Sequence, residues 1–388
     1  MRIAVVALPA RVSGMFKIAL EEVRALRAAG HEARLITQRK GWKRVLKAYA
    51  SLVCNEPILL SEIPFFSSAT SRSLETLTRI PSPQGSSQMD IDVASIGVHG
   101  AFSRLWTHRL SFDAYVCHTT LSPLGILFDY LVGSTKNILY LHADSISYYV
   151  RTLSASHSPF ASYLTGLFER LFILRADKVV VNSNKLSHVL ARQFGIKCHV
   201  IYPGCHPSPS LEENKGSYVC SVTRWDADRT SDLLLSAMER VRGDTKLIMA
   251  GNWPSLQVLQ WVMREIRRRK LTDRVTLEKD PDERRLVQLY RKATCFVLPV
   301  PAFVGLGALE AACQGTAIIV PKGSGVWEIF EDKRHGFAFQ ANDPDELADR
   351  IEALTNPETS FQMGRAAWVK SQSFDWTAHT TRLLSLVS

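Results

Sequence analysis

The sequence predicts an α/β protein made of two doubly wound parallel-sheet domains. Three observations lead there. Short, continuous apolar runs of strand length alternate with helical segments along most of the chain. The alternation halts at a proline-rich polar stretch near residue 210 and then restarts. The chain has 388 residues, more than a single ordinary core organises.

The first unit opens with Ile3 to Leu8, an apolar run suited to a strand buried on both faces. A turn containing Gly14 leads into a helix from about Met15 to Ala29, whose Phe16, Ala19, Leu20, Val23 and Leu26 share one face. Gly30 stands where a glycine ends a helix, and Ala33 to Thr37 reads as the next strand. Further strands are expected at Ala114–Cys117, Ile138–His142, Lys178–Asn182 and His199–Tyr202, with a helix over Tyr163–Arg175. Residues 1–205 form the first domain on this reading, and the stretch PGCHPSPSLEENKG, Pro203 to Gly216, contains the linker, 206–216. The second domain, 217–371, has strand candidates at Tyr218–Val222, Lys246–Ala250, Val275–Leu277, Cys295–Leu298 and Ala317–Val320. Residues 372–388 read as a helix that crosses back to the first domain. Ser61 to His99, rich in serine and proline, is an irregular insertion with no chemistry of its own.

Composition narrows the functional classes. No stretch approaches the roughly 20 apolar residues that span a bilayer. The apolar run at the amino terminus is about six residues long, shorter than a signal peptide requires. Seven scattered cysteines with no C-x-x-C pair point to a reducing, cytoplasmic compartment and to no zinc site. A formal net charge of +10 asks for an anionic partner: nucleic acid, a membrane surface or a phosphorylated substrate. No nucleic-acid motif accompanies that charge, so nucleic acid is not expected.

The segment VGLGALEAACQG, Val304 to Gly315, carries the strongest local signal. It resembles the donor-site motif of the family-4 retaining glycosyltransferases, with Glu310 matching the second glutamate of their Glu-x7-Glu pattern. SVTRWDADRTSDLLLSA resembles the family's phosphate-binding signature and places its two cations at Arg224 and Arg229. KVVVNSNKLSHVL with HVIYPGCHP, and LVQLYRKATCFVLP, are similar to further family elements in the same order. The resemblance implies a GT-B fold, two Rossmann-like domains facing a cleft, and transfer of sugar from a nucleotide-sugar to a glycan, lipid-linked or other hydroxyl acceptor. Retention of configuration is implied by a front-face route, with the leaving phosphate helping to deprotonate the acceptor and no carboxylate nucleophile.

Elementary chemistry supports these residues independently. A departing diphosphate accumulates negative charge, which a fixed arginine pair neutralises, so neither a metal nor a cofactor is expected. Arg224 follows the first strand of its domain, where open α/β sheets bind ligands. Gly305, Leu306 and Gly307 immediately precede an expected helix, Ala308–Gln314, and offer backbone N–H groups to a phosphate. Glu310 is suited to the ribose hydroxyls. Gly251, directly after a strand candidate, and Gly14, in the first βα turn, join the donor-binding set, with Gly14 leaving room for a close ligand approach.

The sequence departs from the family at one position that matters: eight residues before Glu310 stands Ala302, where the pattern has glutamate. In the first domain, His118 and His142 end strand candidates. The resemblance makes His118 the sugar-facing histidine, whose neutral ring would bond a sugar hydroxyl; a satisfied histidine at a strand end is the alternative. Asp144 would orient His142 or the acceptor. Residues 39–53, RKGWKRVLKAYASLV, set Trp42, Val45, Leu46, Tyr49 and Val53 opposite Lys40, Lys43, Arg44 and Lys47. That pattern fits a helix lying on the cytoplasmic face of a membrane equally with one packed on the sheet. Two rival functions stay open: a catalytically weakened protein that binds nucleotide or glycan, and a sugar-nucleotide epimerase.

Overall fold

The computed structural model describes residues 1–8, 12–39, 41–60, 112–119, 122–126, 130–131, 133–143, 159–225, 230–253 and 255–387. The chain divides into two compact units, Met1–Ile201 together with His379–Ser388, and Tyr202–Ala378.

Unit 1 begins with β1 (Arg2–Val6), α1 (Gly14–Ala28) and β2 (Glu32–Gln38). Ser13 caps α1, its hydroxyl accepting the Phe16 amide. At the other end Gly30 takes φ +85°, and the His31 amide returns to the Leu26 carbonyl. That left-handed closure is what glycine supplies. After α2 (Trp42–Ala48) come the short β3 (Ile58–Leu60), β4 (Ala114–Cys117) and β5 (Lys136–Leu141). Then α3 (Pro159–Arg175), β6 (Lys178–Val181), α4 (Asn184–Phe194) and β7 (His199–Val200) complete the sheet. The strand order is β3-β2-β1-β4-β5-β6-β7, every pair parallel.

Residues 39–53 build the packed alternative. Trp42, Val45 and Tyr49 are buried, Trp42 against Phe16 of α1, and the Tyr49 hydroxyl donates to the Ser13 carbonyl. Only Leu46 of the predicted apolar face is well exposed, beside Lys43, Arg44 and Lys47. The face drawn for a bilayer is therefore consumed inside unit 1. No helix among the described residues is long and apolar enough to cross a membrane.

Unit 2 contains β8 (Tyr218–Arg224), α5 (Thr230–Arg240), β9 (Lys246–Asn252), α6 (Leu256–Arg268) and β10 (Val275–Lys279). It continues through α7 (Glu283–Lys292), β11 (Cys295–Val297), α8 (Leu306–Cys313), β12 (Ala317–Pro321) and β13 (Gly336–Phe339). Two helices follow, α9 (Pro344–Thr355) and α10 (Pro357–Ser371). The order β10-β9-β8-β11-β12-β13 is again wholly parallel.

Residues 206–216, read from sequence as a linker, lie along unit 2. The half-buried Lys215 ammonium donates to the Arg291 and Gly315 carbonyls and to the Thr316 hydroxyl, and its partial burial lowers its pKa to about 8. The last segment is not one helix. A 3-10 turn, Gln372–Phe374, ends at Asp375, whose carboxylate accepts the Ala378 amide and starts α11 (Trp376–Val387).

Candidate functional site

In a doubly wound sheet, ligands bind beyond the carboxyl ends of the strands where the strand order reverses. In unit 2 that point lies between β8 and β11. Arg224 is the last residue of β8. Its neighbour across the ladder is Asn252, and Thr223 faces Gly251. Gly251 has φ +128°, and a Cβ there would fall 2.0 Å from the Thr223 carbonyl oxygen. What the structure shows of Gly251 is thus a close backbone approach that lets β9 lie against the end of β8. Trp225 then turns inward, fully buried, stacking on Trp253 and donating to the Ala250 carbonyl.

On the other side of the reversal, α8 begins earlier than expected. Gly305 is its N-cap at φ +79°, and the amides of Ala308 and Leu309 both return to the Gly305 carbonyl. Leu306 and Gly307 are therefore first-turn residues rather than a preceding loop. Their N–H groups remain free of intrahelical partners, as first-turn amides do, and stand at the positive end of the helix. Gly307 packs so closely that a Cβ would meet the Phe296 ring at 3.1 Å and the Val222 carbonyl at 3.4 Å. Glu310 lies on the next turn, and the Tyr290 hydroxyl donates to its Oε2 at 3.1 Å. Burial, then the Glu310 charge, pushes the Tyr290 phenol well above its usual range, so it stays a donor. Ala302 is pinned by its backbone: its amide donates to Ser324 Oγ and its carbonyl accepts the Gly325 amide.

In unit 1 the order reverses between β1 and β4. Gly14 opens α1 just beyond β1, and His118 follows β4. His118 is not available to a sugar hydroxyl. It is fully buried, with Nε2 2.8 Å from Glu22 Oε2 and Nδ1 3.0 Å from His142 Nε2. The satisfied-histidine alternative is the one built, because Glu22 of α1 reaches the end of β4 and occupies its outer nitrogen. Glu22 is itself fully buried, and its Oε1 lies 2.9 Å from Nε2 of His379 on α11. Burial pushes the Glu22 carboxyl up, and the charges and hydrogen bonds of His118 and His379 outweigh it, leaving a pKa of about 2. His142 is half-buried, and burial followed by the His118 charge holds its ring well below the ordinary histidine range. Tyr140 lies against His118, His142 and His379 and anchors its own hydroxyl on the Ile201 carbonyl. Arg229 and Asp144 lie outside the described residues.

Glu22 and His379 were not anticipated, yet both carried a signal. Glu22 sits three residues after Ala19 and four before Leu26, on the apolar stripe of α1. His379 falls in phase with the buried Trp376, Thr380, Leu383 and Val387 of α11. A charged or titratable residue on a core stripe needs a partner.

Against known families, the profile for Glycosyltransferase Family 4 matches residues 12–208, and that for glycosyl transferases group 1 matches 206–368. The chain belongs to Glycosyltransferase Family 4. It is 26% identical to a D-inositol 3-phosphate glycosyltransferase of Mycobacteroides abscessus, over 57% of this chain and 54% of that protein. It is 29% identical to the enzyme of that name from Corynebacterium diphtheriae, over 72% and 71%. A sulfoquinovosyl transferase of Arabidopsis thaliana is 25% identical over 42% of this chain and 32% of its own length. The chain spans about half the length of several of the curated relatives it matches. Among solved structures, sucrose-phosphate synthase from Thermosynechococcus elongatus superposes with TM-score 0.73 at 18% identity, covering 100% of this chain and 98% of that one. HepE of Anabaena, in complex with UDP and glucose, gives 0.73 at 17% identity, covering 99% and 98%. The fold is that of the GT-B glycosyltransferases.

Proposed function

We propose that the protein transfers a glycosyl group from a nucleoside-diphosphate sugar to a hydroxyl acceptor, with retention of configuration. The observation that carries this reading is the convergence of Arg224, the amino end of α8 and Glu310 on the strand-order reversal of unit 2. The first-turn amides of α8 and the Arg224 guanidinium receive the diphosphate, and Glu310, steadied by Tyr290, takes the ribose hydroxyls. Arg229 adds the second cation of the family pattern, so arginines rather than a metal or other cofactor neutralise the leaving group. The acceptor falls to unit 1. The exposed Lys43, Arg44 and Lys47 of α2 support contact with an anionic surface, which suits a lipid-linked acceptor. Seven free cysteines, most of them buried, support a reducing, cytoplasmic setting.

A second reading rests on Ala302. Its backbone is fixed and its side chain is a methyl group, so no carboxylate stands there for the sugar. The protein would then bind the nucleotide and turn over slowly or not at all. A thermal-shift screen against UDP-, GDP- and ADP-sugars, followed by transfer assays with the nucleotide that binds, separates the two. A melting shift together with glycosylated product supports transfer. A shift without product over a broad acceptor panel supports the second reading. No shift at millimolar ligand removes both.

Glu310→Gln is expected to weaken nucleotide binding about 10- to 100-fold, the loss of charge-assisted hydrogen bonds to the ribose. The substitution keeps volume, so the melting temperature of the free protein changes little. Calorimetric titration reads this directly, and an unchanged Kd would take Glu310 out of the site.

A further inference from the structure

Four titratable side chains from four elements meet inside unit 1: Glu22 of α1, His118 after β4, His142 after β5 and His379 of α11. Three features constrain their protons. Glu22 and His118 are both fully buried, and His379 is 2% exposed. Both carboxylate oxygens touch an imidazole Nε2, so both of those nitrogens carry hydrogen and donate. His118 also sets its Nδ1 3.0 Å from His142 Nε2.

A buried carboxylate with only neutral partners leaves a net charge of −1 in a medium that penalises it heavily. One added proton removes that charge. His118 is the ring built to hold it, because each of its nitrogens has an acceptor in reach: Glu22 Oε2 on one side and His142 Nε2 on the other. An imidazolium donates from both nitrogens. His142 must then accept at Nε2 and, being neutral, carry its single hydrogen on Nδ1. That Nδ1 is solvent-inaccessible and has no hydrogen-bond partner among the described residues. Buried polar atoms are seldom left so, and an oxygen supplied from outside the described residues would satisfy it.

We propose that Glu22 is a positioning residue: by fixing a proton on His118 it locks His142 as a neutral hydrogen-bond donor at Nδ1, aimed at an oxygen of the substrate held by unit 1. His142 is thereby a donor and not a base. Tyr140, which lies against all three rings, limits their rotation. His379 completes the hydrogen bonding of the second carboxylate oxygen. The relay itself stands on the geometry alone, and only the identity of the substrate oxygen rests on the glycosyl-transfer reading.

Long-range proton–nitrogen NMR of the imidazole rings reads the arrangement in the whole protein, with His142→Gln and His118→Gln used for assignment. Expected near neutral pH are a doubly protonated His118 and a His142 protonated at Nδ1. In Glu22→Gln, His118 loses its extra proton and the His142 proton moves to Nε2. A neutral His118 with His142 protonated at Nε2 in the wild type would overturn the proposal, as would an unaltered His142 tautomer in Glu22→Gln. Kinetics supply the second arm. Glu22→Gln lowers kcat/KM for transfer by about tenfold, one hydrogen bond's worth, while nucleotide affinity in unit 2 is unchanged. His142→Asn, whose amide nitrogen occupies the place of Nδ1, retains more activity than His142→Gln. Equal activity in those two variants would count against a donor at Nδ1. If no donor sugar is transferred at all, the glycosyl-transfer reading fails and the NMR result still decides the relay.

Discussion

Glu22→Ala is expected to destabilise unit 1 by about 3–5 kcal/mol, the usual effect of removing one partner from a buried charged cluster. The substitution strips both His118 and His379 of their acceptor at 0% and 2% exposure and leaves a cavity under α1. The same carboxylate writes a pH dependence. Its folded pKa of about 2 lies below the unfolded value of 4.5. A depressed acid stabilises the folded state above the unfolded pKa, and that contribution is lost as pH falls from 4.5 towards 2. It amounts to about 3 kcal/mol on the scale of 1.36 kcal/mol per unit. His142 acts in the same direction at higher pH, because its depressed ring pKa makes protonation below about 6.5 favour the unfolded chain. Stability measured by urea titration should therefore decline gently below pH 6.5 and more steeply below 4.5. In Glu22→Gln the steeper limb is expected to flatten. Identical acid limbs in the two proteins would show that Glu22 ionises alike in the folded and unfolded states.

Gly251→Ala is the second substitution with a large expected effect, about 2–4 kcal/mol. At φ +128° an L side chain is strained before any contact is counted. The added Cβ would also lie 2.0 Å from a backbone oxygen, Thr223 O, which cannot swing aside as a side chain can. Relief requires β8 and β9 to part at Thr223 and Gly251, and the next pair in the ladder is Arg224 with Asn252. The loss should thus appear twice, as a lower urea midpoint at unchanged m-value and as weaker nucleotide binding by the residual folded protein. A variant of wild-type stability would show that the strand ends are looser than their register indicates.

Much of the architecture was legible because buried parallel strands announce themselves. Ile3–Leu8, Lys178–Asn182 and Ala317–Val320 are runs that have no polar face to hide. The carboxyl-edge placement of Arg224, Gly305, Gly307 and Glu310 followed from the same strands, since their ends determine where ligand-binding loops emerge. Gly336–Phe339 was missed: two of its four residues are glycine and alanine, and among the described residues it pairs with β12 alone. The start of α8 was misplaced because Gly305 in the left-handed region serves as its cap, a role without a side-chain signature. The His118 cluster was out of reach for another reason. Residues 22, 118, 142 and 379 are local to nothing but each other, and only the β1-β4-β5 order with α11 returning brings them together.

The return of the last residues to the first unit bears on the order in which the protein is made. Unit 2 is one continuous stretch, Tyr202–Ala378, and every residue it needs has been translated before residue 379. Unit 1 starts earlier and finishes later. Its Glu22 waits for His379 through the synthesis of the intervening chain, roughly 20–70 s at about 5–20 residues per second. The amino-terminal unit is thus the first to be started and the last to have all of its residues translated.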